Sequence, residues 1–281
     1  MTLVVAGIYG TSVALLQVSL YGVAGPFPSL ITAFMVGVGL SAFLVNCVRI
    51  ILLASQLALG KEAFVFFLIA ALFLAFCSVL SYMFIRKNSL VQRDIRSPST
   101  FSVAPKSISS QMEEMKTVYR ANWVMALCVT LTFAIQYTFY PGVMFVFELS
   151  FFTNYSWFAI SIVTFHSLMD TTGRYIGGMT SVVGVVTKKV FVYLCLSRFV
   201  FVVFYMLTYE RVAADVFGSD WFIIVNLTFF SISCGILSTI GMNYGSDETT
   251  KHQSLAGSIM GFQLTLGICL GSAIALIFLS N

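Results

Sequence analysis

Three ionisable side chains follow one another at one-turn spacing inside an apolar run that reads TFHSLMDTTGRYIGG over residues 164–178. His166, Asp170 and Arg174 stand four residues apart, so they share one face of a helix. An ionisable residue within a membrane span costs at least about 2.5–3.5 kcal/mol on insertion scales, and it usually faces a partner or a watery cavity. Two hypotheses follow. Asp170 and Arg174 either only neutralise each other within their helix, or the stripe offers polar groups to a solute.

Gln17 is a second polar side chain in an apolar segment, TSVALLQVSLYGVAG. Such an amide forms a hydrogen bond between helices or meets a ligand. An amide can pair through two hydrogen bonds with a base edge that presents one donor and one acceptor, and a carboxylate such as Asp170 can accept from two neighbouring hydroxyls. The two groups together suit a ligand with a heteroaromatic base and a sugar diol, although a bond between helices explains Gln17 equally well.

Membrane-spanning helices must position these residues. The chain has 281 residues, of which 59% are hydrophobic and 9% charged, whereas about a quarter of the residues of a soluble domain are charged. A spanning helix needs about 20 mostly apolar residues. Eight segments qualify, roughly 2–24, 28–57, 63–85, 121–145, 156–183, 189–208, 220–244 and 254–279. The sequence therefore predicts an all-α integral membrane protein with three spans in 1–85 and five in 121–281.

The distribution of basic residues predicts the orientation of these helices. The polar loop 86–120 and the two loops on its side hold ten Lys and Arg residues, whereas the opposite loops hold only Lys61 and Arg211. Because Lys and Arg are enriched in cytoplasmic loops, 86–120 is predicted to be a cytosolic loop. The first helix then starts on the outer side without the features of a signal peptide, so we expect further helices before it. The sequon Asn154-Tyr155-Ser156 falls on the outer side.

No motif indicates an enzyme, a metal site or a cofactor. The six cysteines are scattered through apolar segments without a C-x-x-C pair, a pattern that favours small buried hydrophobes over a disulfide framework or a zinc site. G-x-S-x-G, H-E-x-x-H and P-loop motifs are missing from the sequence. The expected environment is the lipid bilayer, and the net charge of +4 gives no reason to expect a nucleic-acid partner.

An ordered series of motifs resembles the equilibrative nucleoside transporter family. The D-x-x-G-R of Asp170, Gly173 and Arg174 is similar to the signature of that family's eighth helix, and ALLQVSLYGVAGPFPS resembles its fourth helix and the turn that follows. MVGVGLSA, FYPGV and LSRFVFV resemble the fifth, seventh and ninth helices, and the last two spans resemble the tenth and eleventh. The resemblance implies an eleven-helix bundle of the major-facilitator type, of which this chain holds helices four to eleven and lacks the first three.

The resemblance also implies a function. Members of the family move uncharged nucleosides, and some move nucleobases, down their gradients by alternating access, and some relatives couple this movement to protons. Gln17 would contact the base, and Asp170 and Arg174 would contact the ribose or shape its site. Five more residues become candidates for gating or for shaping the cavity: His166, Arg198, Pro141, Gly37 and Gly39. The plasma membrane is the expected location, with an intracellular membrane as the alternative.

The sequence departs from the family pattern at three positions. Ala42 stands where a glycine is usual, and Cys234 and Ser167 each stand where an asparagine is expected. The main alternative function is a truncated paralogue that does not transport, or a regulatory membrane subunit of an intact transporter. A related transporter for a different small solute is a third reading, with the same fold.

Overall fold

Helices joined by short connections make up the structure, a computed structural model that describes residues 2–87, 108–147, 149–247 and 252–280. These residues contain no β-strand, and a 3-10 turn, Val143–Val146, follows the fourth helix. The helices are α1 Thr2–Ala24, α2 Pro28–Ala54, α3 Leu59–Lys87, α4 Ile108–Phe139, α5 Tyr155–Gly178, α6 Thr180–Val185, α7 Lys188–Ser197, α8 Phe199–Tyr209, α9 Ala214–Phe217, α10 Asp220–Asp247 and α11 Gln253–Ser280.

The predicted class of an all-α integral membrane bundle is confirmed. Seven of the described segments are long and apolar enough to cross a membrane: α1, α2, α3, α4, α7 together with α8, α10 and α11. The remaining predicted span, the fifth, corresponds to α5, which has 24 residues and is long enough to cross. It is less apolar than the others because it carries His166, Asp170 and Arg174.

Several predicted boundaries differ from the structure. The helix expected from residue 121 begins at Ile108, because residues 108–120 are rich in polar and charged side chains and hydropathy detects only an apolar stretch. The polar loop predicted over 86–120 is therefore helical at its end, and residues 88–107 lie outside the described part of the chain. The fifth span ends at Gly178 and is followed by the separate α6. The sixth is interrupted at Arg198.

Turn and capping residues explain where several helices start. Pro28 is the first residue of α2, a position where proline is favoured because the missing N–H would have no partner within the helix. Asn154 precedes α5, and its Oδ1 accepts a hydrogen bond from the Ser156 N–H over 2.8 Å. Thr187 similarly accepts from Val190 N–H at the start of α7. The predicted break between the first two spans is thus present.

Packing divides the chain into two compact units, residues 1–43 with 115–281, and residues 44–114. All the site residues predicted from the sequence belong to the first unit. Within it, two apolar clusters meet along α4. The first uses α4 side chains from Met125 to Phe133, and the second begins at Ile135. The polar side chain of Gln136 therefore lies where the two clusters join.

Glycines bring the helices of the first unit close together, since small residues let helix backbones approach in membrane bundles. A Cβ atom at Gly173 or Gly177 of α5 would strike the backbone of α10, and one at Gly235 of α10 would strike the Asp170 carbonyl. On α11, a Cβ at Gly257 would meet the Tyr21 carbonyl of α1 in the same way. The α5–α10 contact sets the depth and the direction of the Asp170 side chain.

Candidate functional site

Asp170 and Arg174 form an ion pair one turn apart on α5. Arg174 Nε donates to Asp170 Oδ2 over 2.6 Å, and 7% and 6% of the two residues are exposed. Because both charges are removed from water, their attraction is offset by a large desolvation cost, and the pair by itself is weak evidence for a purely stabilising role. The first of the two hypotheses, mutual neutralisation, accounts for only one oxygen of the carboxylate.

The other oxygen of that carboxylate is unpaired. Asp170 Oδ1 is buried and has no hydrogen-bond partner among the described residues, although buried polar atoms nearly always have one. The Cys234 thiol of α10 lies near enough to Asp170 to act as a weak donor toward its carboxylate, although it makes no hydrogen bond of ordinary geometry to Oδ1. Tyr137 of α4 and Tyr140, the residue after α4, lie within electrostatic range of the carboxylate. The site therefore offers a strong acceptor, lined by aromatic rings, to a hydrogen-bond donor such as a sugar hydroxyl.

Arg174 also connects α5 to α2. Its Nη1 donates to the Met35 carbonyl over 3.4 Å and lies 3.7 Å from the Met35 sulfur. One turn further along α2, a Cβ atom at Gly39 would lie 3.1 Å from Arg174 Cδ and 2.7 Å from Thr171 Oγ1. The glycine therefore leaves the space that the arginine side chain occupies.

Tyr21 and Met35 join Gln17 to the ion pair. The Tyr21 hydroxyl donates to the Met35 sulfur over 2.8 Å, and the Gln17 side chain contacts the same hydroxyl from one turn earlier on α1. Tyr21 is fully buried, whereas Gln17 is half-buried. The tertiary structure thus places the three residues predicted to bind substrate, Gln17, Asp170 and Arg174, along one continuous row of polar groups.

His166 belongs to a second polar cluster one turn away on α5. Its Nδ1 lies 2.6 Å from Ser231 Oγ of α10, and its Nε2 lies 2.9 Å from Gln136 Nε2 of α4. The Tyr140 ring covers the imidazole, with the ring centres 3.6 Å apart. The imidazole is therefore held on both nitrogens and on one face.

Arg198 completes this second cluster from the break between α7 and α8. Nη2 donates to Gln136 Oε1 over 3.0 Å, and Nη1 donates to the Phe230 carbonyl over 3.1 Å and to Ser233 Oγ over 2.6 Å. The guanidinium also lies over the Phe230 and Phe201 rings. Only 1% of Arg198 is exposed, and within the described chain no carboxylate pairs with it.

Pro141 and Gly37 lie apart from these contacts. Pro141 is exposed and follows the end of α4, where its ring cannot continue the helix, and its neighbour Tyr140 covers His166. At Gly37 a Cβ atom would have no atom within 4 Å, so the structure gives no packing reason for a glycine there.

A cavity of ≈ 600 Å³ lies at a different place in the first unit. It lies between the α4–α5 connection and the start of α10, and its lining includes Phe152, Tyr155 and Asp220. The Asp220 carboxylate already accepts from the Ser150 N–H at 3.1–3.2 Å. None of the residues predicted to bind substrate lines this cavity.

Sequence reasoning missed several residues that complete the two clusters. Gln136 could have been found, because it is an amide within an apolar span and so carries the same signal as Gln17. Tyr21, Met35 and Ser231 could not, because tyrosine, methionine and serine are common inside membrane bundles and only their neighbours in space make them notable.

Comparison with known proteins identifies the family of the chain. A family model described as "Nucleoside transporter" matches residues 1–99 and 86–280. The chain belongs to the nucleoside transporter family. The family description is that of a transporter and not of an enzyme, in agreement with the missing catalytic motifs.

Curated relatives of this family member resemble it over most of its length. Equilibrative nucleoside transporter 1 of Homo sapiens is 26% identical over 300 residues, which are 94% of this chain and 65% of the relative. The Rattus norvegicus protein of the same name is 25% identical over 93% of this chain and 65% of its own length. Equilibrative nucleoside transporter 3 of Rattus norvegicus is 25% identical over 95% of the chain and 62% of the relative. The chain therefore spans about 65% of the length of these relatives.

Proposed function

We propose that this protein is a facilitative transporter that moves uncharged nucleosides, and nucleobases as a second substrate class, across a membrane by alternating access. Membership of the nucleoside transporter family supports the general class. The curated relatives are named as equilibrative nucleoside transporters, and the same kind of transport is proposed for this chain.

One observation carries the assignment of the sugar-binding residue: the buried Asp170 Oδ1 has no partner, while Oδ2 is occupied by Arg174. A ribose hydroxyl that donates to Oδ1 would satisfy this atom without disturbing the ion pair. Arg174 fixes the direction of the carboxylate through the hydrogen bond to Oδ2, and a carboxylate is a stronger acceptor than a neutral group. The ligand class is therefore one that carries hydroxyl donors next to an apolar or aromatic part.

The base would lie toward α1 in this proposal. Gln17 is half-buried, and it reaches the ion pair through Tyr21 and Met35. Its amide can offer one donor and one acceptor to a base edge, while aromatic rings such as Tyr21 suit the flat face of a base. Gly39 shapes the site by leaving room for Arg174.

The other candidates have supporting roles in this proposal. His166 and Arg198 hold the wall of the site next to Asp170, since both lie in the polar cluster one turn away on α5. Pro141 follows the end of α4, next to Tyr140, whose ring covers His166. A change of backbone direction at this proline could accompany gating. Gly37 has open space around it, which leaves room for a neighbouring element to approach during the transport cycle.

Uptake of labelled uridine and adenosine tests the proposal. The chain, extended at its N-terminus by the helices expected before it, is expressed in cells that lack nucleoside transport, and its amount at the cell surface is measured in parallel. We expect uptake of both nucleosides that saturates with concentration and needs no added gradient of another solute. Normal amounts at the surface without uptake of either nucleoside would contradict the proposal and favour the non-transporting alternative.

A binding measurement on purified protein separates recognition from transport. A ligand that binds only the folded state stabilises it, by about 2.7 kcal/mol at a concentration 100 times the dissociation constant. We expect uridine and adenosine to raise the thermal midpoint, and ribose or uracil alone to raise it less. An equal shift with a sugar alcohol of similar size would show that the site does not recognise a nucleoside.

A further inference from the structure

The orientation of the Gln136 amide is fixed by its neighbour Arg198. A guanidinium can only donate hydrogen bonds and stays protonated in proteins. Because Arg198 Nη2 lies 3.0 Å from the amide, the amide atom that faces it must be the oxygen. The NH₂ group of Gln136 therefore points at His166, where it lies 2.9 Å from Nε2. The usual ambiguity in assigning an amide does not arise here.

The position of the proton on His166 follows from this orientation. Gln136 donates, so His166 Nε2 must accept and carries no proton. The proton of the neutral ring is then on Nδ1, which donates to Ser231 Oγ over 2.6 Å. Ser231 is free to accept, because its own hydroxyl donates to the Leu227 carbonyl over 2.7 Å. A series of hydrogen bonds thus runs from the Arg198 guanidinium through Gln136, His166 and Ser231 to the Leu227 carbonyl. Each bond in it has one donor and one acceptor.

We propose that Arg198, acting through Gln136, holds His166 as the neutral Nδ1–H tautomer, so that His166 positions the wall of the site and does not carry protons. A second proton on Nε2 would face the NH₂ group of Gln136, donor against donor. Relieving that contact by turning the amide would place the NH₂ group against the guanidinium of Arg198. Protonation therefore breaks a hydrogen bond at either end of Gln136.

The charged groups around the imidazole also disfavour a protonated His166 overall. Asp170 on α5 would favour a protonated His166, but its charge is already balanced by Arg174. Arg198 faces the ring from the α7–α8 break without a carboxylate partner within the described chain. The ring of Tyr140, the residue after α4, covers one face of the imidazole. The net charge near His166 is positive, which opposes a second positive charge.

This inference extends the proposed function, on which its transport consequence rests. Histidine is the side chain that ordinarily titrates between about pH 5 and pH 8. With His166 locked in a neutral form, nucleoside uptake should depend on pH in this range only through residues outside the two polar clusters.

Nitrogen NMR of histidine tests the inference without any need for transport. The chain contains two histidines, and His252→Gln leaves only His166 to be labelled with ¹⁵N. In the purified, reconstituted protein we expect one protonated nitrogen, assigned to Nδ1, and one unprotonated nitrogen, with no change between about pH 5 and pH 8. A proton on Nε2, or titration in this range, would overturn the proposal.

Gln136→Glu gives the proposal its sharpest test. The carboxylate can still accept from Arg198 but cannot donate, so His166 can keep this hydrogen bond only with a proton on Nε2, either as the Nε2–H tautomer with Nδ1 accepting from Ser231 or as the doubly protonated ring. We expect the unprotonated Nε2 signal of the wild type to be replaced by that of a protonated Nε2, and the share of the doubly protonated ring to grow as the pH falls through this range. Gln136→Leu, which neither donates nor accepts, should give a mixture of the two neutral tautomers.

Gln263→Glu is the matched control, because Gln263 is a buried glutamine of α11 whose Oε1 accepts from Thr130 and which has no histidine beside it. The ¹⁵N spectrum of His166 in Gln263→Glu should match that of the wild type. An unchanged His166 spectrum in Gln136→Glu would overturn the inference. If the spectra behave as expected but the wild-type protein takes up no nucleoside, the proposed function fails and the assignment of the tautomer stands.

Discussion

At the scale of single residues, the two oxygens of Asp170 have different surroundings, and this difference links stability to function. Oδ2 is paired with Arg174, and Oδ1 is enclosed without a partner. A carboxylate used only to neutralise a buried arginine would be expected to satisfy both oxygens within the protein. The unpaired oxygen therefore costs stability in the empty protein, and a ligand hydroxyl would recover part of that cost.

Asp170→Asn should abolish uptake or reduce it severely. The amide removes the negative charge and leaves Arg174 buried without its partner, a change that typically costs about 3–5 kcal/mol. Uptake of uridine is measured together with surface expression and the thermal midpoint. The double variant Asp170→Asn with Arg174→Gln is the control, because it removes both charges. It should regain part of the lost stability without regaining uptake. Uptake at the wild-type rate in the single variant would show that the pair is not needed.

Gln17→Ala should change the preference among bases more than it changes surface expression. Gln17 is half-buried and contacts the Tyr21 hydroxyl, so its loss removes one interaction without opening a cavity in the core. The measurement is competition of adenosine, uridine and free bases against labelled uridine. An unchanged order of preference would remove Gln17 from the site.

At the scale of helices, the contact between α5 and α10 determines where the ion pair lies. Gly173, Gly177 and Gly235 allow the two backbones to meet, and a Cβ at Gly235 would strike the Asp170 carbonyl directly. In a membrane, helices associate through such close packing and not through the hydrophobic effect. A side chain at this contact therefore moves the carboxylate as well as separating the helices.

Gly235→Ala should lower stability and uptake together. The added methyl group meets backbone atoms, which cannot turn aside, and overpacking of this kind typically costs about 1–3 kcal/mol. Thermal midpoint and uptake are compared with those of Gly10→Ala in α1, where the methyl group would find no atom within 4 Å. In that control alanine should leave stability equal or higher, since alanine favours a helix over glycine by up to about 1 kcal/mol. Equal effects of the two substitutions would contradict the close contact.

At the scale of the whole molecule, the basic residues predict which ends of the helices face the cytosol. Ten Lys and Arg residues lie in the loops on one side and two on the other, an asymmetry that orients membrane proteins during insertion. The helices and their packing are compatible with either direction of insertion, so the orientation stays a prediction from the sequence.

Labelling of introduced cysteines tests the orientation. Lys189 and Glu210 are both exposed and stand near opposite ends of the α7–α8 segment. We expect Glu210→Cys to react with a membrane-impermeant thiol reagent in intact cells, and Lys189→Cys to react only after permeabilisation. The wild type is the control for its six native cysteines, three of which are buried. The reverse pattern of labelling would invert the predicted topology.

Most of the fold could be predicted from the sequence because the bilayer restricts it so strongly. Any segment of sufficient length and hydropathy must span as a helix, since every backbone polar group has to be paired in lipid. The same rule misplaced helix ends that lie outside the apolar stretch, as at Ile108. It also could not detect the break at Arg198, where a buried guanidinium binds neighbouring helices. Hydropathy responds to the transfer of side chains into lipid and contains no information on such partners.

The sequence by itself determined the class of protein, the spans and the α5 stripe, because each depends on composition or on spacing along a single helix. The pairing of Asp170 with Arg174 is of this kind, since four-residue spacing brings the two side chains together in any α-helix. Only the tertiary structure decided that Gln17 reaches that pair through Tyr21 and Met35, and that Arg198 reaches His166 through Gln136. Those contacts join residues on different helices, and the packing of glycine-rich faces, not the local order of residues, brings these helices together.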